Sequence, residues 1–168
     1  MSFRIEGGKM IKFRRFNLEA YDKNKHYVLV KNLERDEDVI RHVSKRFGDW
    51  VNDMPVGEDS FEVERPYVIV RDNKYVGMLG TLDRSHDGII DLWCAIDSKE
   101  RNKGHASDML GEMSLYLIEK DYANIRLRIN KNNIFSNKTA RGKRNGYVLN
   151  EKESLKDKNV YYYFEKKR

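Results

Sequence analysis

Apolar and polar positions along the chain repeat in two ways, and the change between them predicts the order of the elements. Ile89–Ile96 is a short apolar run, rich in β-branched and aromatic residues and bounded by Gly88 and Asp97, which predicts a buried strand. From Gly104 to Asp121, apolar residues recur at helical spacing and predict a helix with one apolar face. Asn124–Ile129 alternates again. The second half of the chain is therefore predicted to contain a strand-loop-helix-strand unit.

The rest of the chain is divided in the same way. Asp36 or Asp38 is available to cap a helix. The predicted elements are a strand at Met10–Phe16, a polar turn at Asn17–Asp22, helices around Lys23–Leu33 and Asp38–Phe47, a loop at Gly48–Glu62, strands at Pro66–Val70 and Tyr75–Gly80 around a hairpin turn at Arg71–Lys74, a turn at Asp83–Gly88, and last strands at Val148–Leu149 and Val160–Phe164 around a charged span.

This order predicts an α+β fold with a mixed, mostly antiparallel sheet of six to seven strands and helices on both faces. Residues 1–9 are polar, contain Gly7 and Gly8, and are expected to form a flexible extension. Residues 10–168 show no repeat and no low-complexity linker, so we expect a single domain there.

Composition narrows the class of protein. A chain of 168 residues with 39% hydrophobic content is typical of one globular domain. No stretch is long and apolar enough for a membrane span, and no secretory signal is present, so a cytoplasmic protein is expected. The one cysteine, Cys94, excludes an internal disulfide, and His26, His42, His86 and His105 lack the spacing of metal ligands. We therefore predict no metal.

The net charge of +6 is unevenly distributed, since the residues from Glu119 onward contain 14 Lys or Arg against 6 Asp or Glu. Attraction of a polyanionic cofactor and a plain solvated face both explain this basic last third, and nucleic acid ranks behind them because no nucleic-acid motif is present. One basic cluster, Lys138, Arg141, Lys143 and Arg144, is a candidate for a phosphate or substrate contact, although a solvated face also explains it.

The loop before the long helix has the composition of an anion site. The first N–H groups of a helix lack partners within it, and the helix dipole favours negative charge there. Gly104 and Ala106 leave room for a diphosphate to approach the backbone, Ser107 adds a hydroxyl, and Arg101 and Lys103 add positive charge. The alternative is a merely structural loop.

Two motifs together carry a family resemblance. Arg101–Ala106 follows the predicted fourth strand and opens the third helix, and Asn133–Ala140 then leads to Gly146 and Tyr147. In this order the motifs resemble the GNAT superfamily of acetyl-CoA-dependent N-acetyltransferases. Ile89–Asp97 and Asn133–Lys138 look most like the branch that acetylates ribosomal-protein N-termini and polyamines.

The resemblance implies a site. The backbone near the end of the fourth strand would pair with the pantetheine arm and polarise the thioester carbonyl, and Asn133 would hydrogen-bond the arm. The implied cofactor-binding residues are Cys94, Ala95 and Ile96 on the strand and Arg101, Asn102, Lys103, Gly104, His105, Ala106 and Ser107 on the pyrophosphate loop.

Two residues are candidates for proton transfer. Desolvation in an apolar strand makes a carboxylate a better proton acceptor, which makes Asp91 the candidate base. A hydrogen-bonded carboxylate at a strand edge is the equal alternative, and Glu64 and Asp83 are in reserve. The family supplies its acid from a tyrosine seven residues after the asparagine or a serine three after it. Because the first position is Ala140, Ser136 is left, although it and Asn133 may serve instead to cap the helix.

Arg141–Asn145 is about two residues longer than the family's pattern, and Gly142 would weaken a helix there, which leaves the end of that helix open. The expected activity is direct transfer of an acetyl group to a primary amine, either a protein N-terminus, a polyamine or another small amine. The rival is a CoA-binding or nucleic-acid-associated module without catalysis, suggested by the missing tyrosine and the basic last third. Nucleic acid and membrane are not expected as partners, and the sequence leaves monomer and homodimer open.

Overall fold

The computed structural model describes residues 10–57, 61–83, 88–122, 124–142 and 145–165. These residues form eight strands, hydrogen-bonded in the order β1-β2-β3-β4-β5-β6-β8-β7, and six α-helices. The α+β class is confirmed, with one or two strands more than predicted. The elements are β1 (Met10–Lys12), β2 (Asn17–Ala20), α1 (Tyr27–Arg35), α2 (Glu37–His42), α3 (Phe47–Asn52), β3 (Tyr67–Arg71), β4 (Lys74–Leu82), β5 (Ile89–Ile96), α4 (His105–Glu119), β6 (Asn124–Asn130), α5 (Ile134–Ala140), β7 (Tyr147–Leu149), α6 (Glu151–Ser154) and β8 (Asn159–Phe164), with a 3-10 turn at Ser98–Glu100.

The described residues divide into two compact units. One holds the residues up to Thr81 together with Cys94–His105, and the other holds Leu82–Trp93 and the residues from Ala106 onward. In the first unit, β1, β2, β3 and β4 pair antiparallel in sequence order. Burial of apolar side chains is the main force that holds such a unit together. Its most deeply buried side chains are Leu18, Leu33, Phe47, Val51, Tyr67, Val68, Met78 and Leu79.

The hairpin between β3 and β4 depends on two residues with left-handed backbone. Asp72 and Asn73 have φ angles of 51° and 59°. Positive φ at both central residues is the mark of a type I′ turn, whose twist matches that of the flanking strands. Aspartate and asparagine tolerate this conformation better than other residues with a side chain. The hairpin predicted at Arg71–Lys74 is confirmed.

In the second unit, β5 pairs with β6 in parallel, from Ile89 opposite Asn124 to Asp91 opposite Arg126. A parallel pair needs a long connection, which α4 supplies. β8 then pairs antiparallel with both β6 and β7. The predicted strand at Ile89–Ile96 is confirmed with the same bounds. The core side chains of this unit include Met109, Met113, Leu117, Ile125, Leu127 and Tyr162.

Three segments differ from the predictions. The polar turn at Asn17–Asp22 is wrong, because Asn17–Ala20 forms β2 between β1 and β3 and buries Glu19 as well as Leu18. The loop at Gly48–Glu62 begins as helix α3, whose one-turn spacing buries Phe47 and Val51 together. The charged span after β7 contains the short helix α6. The expected extension, residues 1–9, lies outside the described residues.

Candidate functional site

The loop after β5 exposes its backbone where the next helix begins. Asn102 and Gly104 both have positive φ, 63° and 79°, and α4 starts at His105. A Cβ atom built on Gly104 would meet no heavy atom within 4 Å, so the space beside this backbone is open. An open backbone at the start of a 15-residue helix fits the diphosphate that the sequence predicts here.

Arg101 of this loop is engaged by carboxylates at the start of α2. Its Nη2 atom lies 2.9 Å from Asp36 Oδ2, and its Nη1 atom lies 3.3 Å from Asp38 Oδ2. Asp36 also caps α2, because its Oδ1 atom accepts hydrogen bonds from the N–H groups of Asp38 and Val39. The predicted cap is thus found at Asp36, and Arg101 ties the loop to it.

Two other cations contact the loop. Lys103 Nζ lies 3.0 Å from Glu100 Oε2, and this bond lowers the pKa of the Glu100 carboxyl. Arg71 at the end of β3 places Nη1 3.1 Å from Nδ1 of the buried His105, whose Nε2 lies 3.4 Å from Glu100 Oε2. Sequence reasoning gave Arg71 no role. The signal available was its place at the hairpin turn, since the N–H of Asp97, just after β5, donates to Val76 of β4.

The end of β5 approaches β4 closely within the first unit. A Cβ atom on Gly77 would lie 2.3 Å from the carbonyl oxygen of Ala95, so only glycine fits at this position. Cys94 is partly exposed, yet desolvation by the surrounding protein raises the pKa of its thiol to about 12. Cys94 is therefore a thiol at neutral pH, and the thiolate that nucleophilic catalysis needs is absent.

Asp91 lies in an ion pair in the second unit. Its Oδ1 and Oδ2 atoms accept hydrogen bonds from Arg126 Nε at 2.6 Å and Nη2 at 2.9 Å, and Asp91 is only 4% exposed. Arg126 Nη1 donates to Glu153 Oε1 at 2.8 Å, and the guanidinium lies 4.9 Å from the centroid of the Tyr161 ring. The bond with Asp91 raises the pKa of Arg126 above its usual range.

This geometry bears on the choice of a base. A carboxylate that receives two charge-assisted hydrogen bonds is stabilised as the anion and is a poor proton acceptor. It favours the interpretation of Asp91 as a hydrogen-bonded structural carboxylate. Of the reserve candidates, Glu64 is exposed on a backbone with φ of 61°, and Asp83 directly follows β4.

Asn133 and Ser136 meet at the start of α5. Asn133 Oδ1 accepts a hydrogen bond from the Ser136 N–H at 3.1 Å, which is the capping role that the sequence offered as the alternative. Ser136 is partly exposed, and its hydroxyl makes no hydrogen bond within the part of the chain described here. Ala140, where the family has its tyrosine, is fully buried. Instead the hydroxyl of Tyr162 reaches α5, where it bonds Asn137 Oδ1 at 2.9 Å and Arg141 Nε at 3.2 Å.

The remaining expectations are placed as follows. Ala106 and Ser107 form the first turn of α4 and are partly buried, while Asn102 is exposed. In the basic cluster, Lys138 is exposed, Arg141 contacts Tyr162, and residues 143 and 144 lie outside the described ranges. Across the described ranges, no three His, Cys, Asp or Glu side chains are grouped so as to hold a metal ion. None of the helices described here has the length and apolar character to cross a membrane.

Comparison with known proteins gives a fold match without a sequence match. No family model matches the chain, and no curated protein is similar in sequence. Solved structures do match. RimL, the ribosomal L7/L12 alpha-N-protein acetyltransferase, is 14% identical with a TM-score of 0.68 over 96% of this chain and 98% of its own.

A GNAT-family acetyltransferase from Bacillus anthracis is 15% identical with a TM-score of 0.65, over 92% of this chain and 95% of its own. An acetyltransferase from Agrobacterium tumefaciens is 11% identical with a TM-score of 0.66, over 99% and 98%. RimL is also known in complex with coenzyme A. The chain therefore has the fold of GNAT-family acetyltransferases.

Proposed function

We propose that this protein is an N-acetyltransferase that moves an acetyl group from acetyl-CoA to a primary amine. The observation that carries the proposal is the open backbone at Gly104, where positive φ and empty space coincide at the start of α4. The shared fold supports it, because the matching structures include acetyltransferases and one is a complex with coenzyme A. The motifs at Arg101–Ala106 and Asn133–Ala140 support it independently.

The donor would be held mainly by backbone groups. N–H groups at the start of α4, the Ser107 hydroxyl and Lys103, whose side chain is half exposed, are suited to the diphosphate. The backbone of Cys94–Ile96 would align the pantetheine arm, and the Asn133 amide N–H groups remain available for it while Oδ1 caps α5. Alignment of the two reactants alone supplies several kcal/mol of the barrier, on the order of 7 or more.

The transfer itself would be direct. The amine lone pair attacks the thioester carbonyl, the carbon–sulfur bond breaks, the amine nitrogen loses a proton and the thiolate gains one. No acetyl-enzyme is expected, since the Cys94 thiol, with its pKa of about 12, is a weak nucleophile. Ser136 is the better supported proton carrier, because its hydroxyl is partly exposed. Asp91 would have to release Arg126 to accept a proton, so we assign the amine proton to water.

The acceptor is a protein N-terminus, a polyamine or another small primary amine. RimL, with 14% identity and a TM-score of 0.68, acts on a protein N-terminus, which makes peptides the first acceptors to test. The test is a screen of peptides, polyamines and small amines with acetyl-CoA, with release of free thiol as the readout. We expect at least one amine to raise thiol release above the rate with acetyl-CoA alone. If no amine does so, the catalytic proposal is wrong.

A second candidate is a module that binds coenzyme A without catalysis. Two observations favour it: Ala140 replaces the family's tyrosine, and Asp91 is neutralised by Arg126. Thermal unfolding with coenzyme A separates the two candidates, because a ligand that binds only the folded state raises the thermal midpoint. A raised midpoint together with no thiol release for any amine would support the module. Neither signal would reject both candidates.

A further inference from the structure

Two arginines reach the loop of the first unit, and their partners differ. Arg101 contacts two carboxylates, Asp36 at 2.9 Å and Asp38 at 3.3 Å, and its side chain is only 23% exposed. Arg71 contacts an imidazole, with Nη1 3.1 Å from His105 Nδ1. An ion pair with two carboxylates satisfies an arginine electrostatically, whereas a hydrogen bond to an imidazole holds the guanidinium in place without cancelling its charge.

The protonation state of His105 follows from its neighbours. Arginine has donors and no acceptor, so Arg71 must donate and His105 Nδ1 must carry the lone pair. The ring proton then lies on Nε2, on the side of Glu100 Oε2 at 3.4 Å. Nε2 is buried and makes no hydrogen bond of good geometry within the described residues. His105 is therefore a neutral imidazole that orients the guanidinium of Arg71.

The position of this guanidinium is electrostatically unusual. His105 is the first residue of α4, and the partial positive charge of a helix N-terminus disfavours a nearby cation by a few tenths of a kcal/mol to about 1 kcal/mol. Arg71 adds its charge beside Lys103 and beside the open backbone of Gly104. An anion bound at this backbone would remove the repulsion and gain a charge-assisted hydrogen bond.

We propose that Arg71, oriented by His105, binds the diphosphate of coenzyme A, and that Arg101 holds the start of α2 against the loop. This assignment rests on the proposed function. It exchanges the roles that the sequence suggested, since the arginine within the loop motif is committed to carboxylates and the phosphate ligand comes from the β3–β4 hairpin. Arg71 is then a specificity-determining residue for a donor that carries a diphosphate.

The test measures the affinity of coenzyme A and of 3′-dephospho-coenzyme A by calorimetry for the whole chain. Arg71→Gln should weaken both ligands by roughly 10- to 100-fold, the range for loss of a hydrogen bond to a charged group. Arg71→Lys should recover part of the loss, because lysine keeps the charge but not the planar fork. Arg101→Gln should weaken both ligands less than Arg71→Gln does, and should lower the thermal midpoint more.

Arg65→Gln is the matched control. Arg65 lies in the same unit and pairs with Glu62 at 2.7 Å, so its removal costs the same net charge without touching the loop. Its affinity should equal that of the wild type. An Arg71→Gln affinity within threefold of the control, or a loss for coenzyme A that vanishes with the dephospho compound, would overturn the assignment to the diphosphate. If the wild-type protein binds neither ligand, the proposed function itself fails, which is a different result.

Discussion

Two charged clusters in this protein use the same side-chain types for opposite ends. In the second unit, Asp91 and Arg126 are 4% and 9% exposed, and each carboxylate oxygen of Asp91 has its own N–H donor. Glu153 takes a second bond from Arg126 and one from the Tyr163 hydroxyl at 2.5 Å. The polar atoms of this network pair with one another.

The cluster at the loop of the first unit is looser. The Lys103 and Asp38 side chains are 50% and 65% exposed, and their ion pairs lie at 3.0 Å and 3.3 Å. Exposed pairs are worth only about 0–1 kcal/mol, so a phosphate can replace a carboxylate at little cost. Breaking a buried pair leaves an uncompensated charge, which costs several times more. Burial therefore separates the ion pairs that stabilise the fold from those that can exchange for a ligand.

The largest effect is expected from Asp91→Asn. The change leaves Arg126 buried with one carboxylate, and it should destabilise the protein by about 3 kcal/mol, the low end for a broken buried pair because Glu153 remains. Turnover of the folded protein should fall by less than tenfold. Urea unfolding and steady-state thiol release measure the two quantities. The exposed Asp38→Asn is the control and should cost about 1 kcal/mol or less. A turnover loss of about 10² to 10⁴ at unchanged stability would show instead that Asp91 is the base.

Gly104→Glu addresses the other cluster. The new carboxylate would occupy the open space beside the loop backbone and repel the diphosphate. The rise in thermal midpoint on adding coenzyme A, worth about 2.7 kcal/mol at 100 times the dissociation constant, should disappear. Asparagine tolerates the φ of 79° and adds bulk without charge, so Gly104→Asn should retain part of the rise. An undiminished rise in Gly104→Glu would place the cofactor elsewhere.

A third buried group extends the comparison to pH. His26 accepts a hydrogen bond from the Asp22 N–H at its Nδ1 atom, and its Nε2 lies 3.6 Å from Glu19 Oε1. The Tyr75 ring packs edge-on against it, and Lys25 pairs with the same Glu19 oxygen. Burial, opposed in part by Glu19, lowers the pKa of His26 below its ordinary 6.5.

The sign of the pH effect follows from that lowered pKa. Below pH 6.5 the unfolded chain takes up a proton that the folded protein does not, so the unfolded state gains stability. The free energy of unfolding should therefore be full above this pH and decrease as pH falls through it. Urea unfolding between pH 8 and pH 5 measures the decrease, and His26→Gln should reduce its slope. Equal slopes in the two proteins would contradict a buried neutral His26.

The smallest effect is expected from Ser136→Ala. If Ser136 donates a proton to the leaving thiolate, turnover should fall by about tenfold or less, below the usual range for a general acid, because water can replace a partly exposed hydroxyl. Stability should not change, since the cap of α5 uses the backbone N–H of Ser136 and the Asn133 side chain. Unchanged turnover in an assay limited by chemistry would remove Ser136 from the mechanism.

The elements with strong periodicity or distinctive turn chemistry could be predicted from the sequence. Ile89–Ile96 was found with its bounds, and the turn at Asp72 and Asn73 and the Asp36 cap followed from local residue chemistry. The helix α4 starts and ends within two residues of the prediction. Short elements were missed, because α3 has one apolar pair per turn and β2 places the buried Glu19 where a core strand usually has an apolar residue.

The sequence by itself determined the local conformations and the loop that opens α4, because backbone preference and the periodicity of apolar residues act over a few neighbours. Only the tertiary structure decided which charges meet. Asp91 and Arg126 are 35 residues apart and become neighbours through the parallel register of β5 and β6. The partners of Arg101 and His105 likewise come from α2 and from the β3–β4 hairpin. A carboxylate or a guanidinium has the same local pattern whether it is paired or not, so its role depends on distant residues that periodicity does not encode.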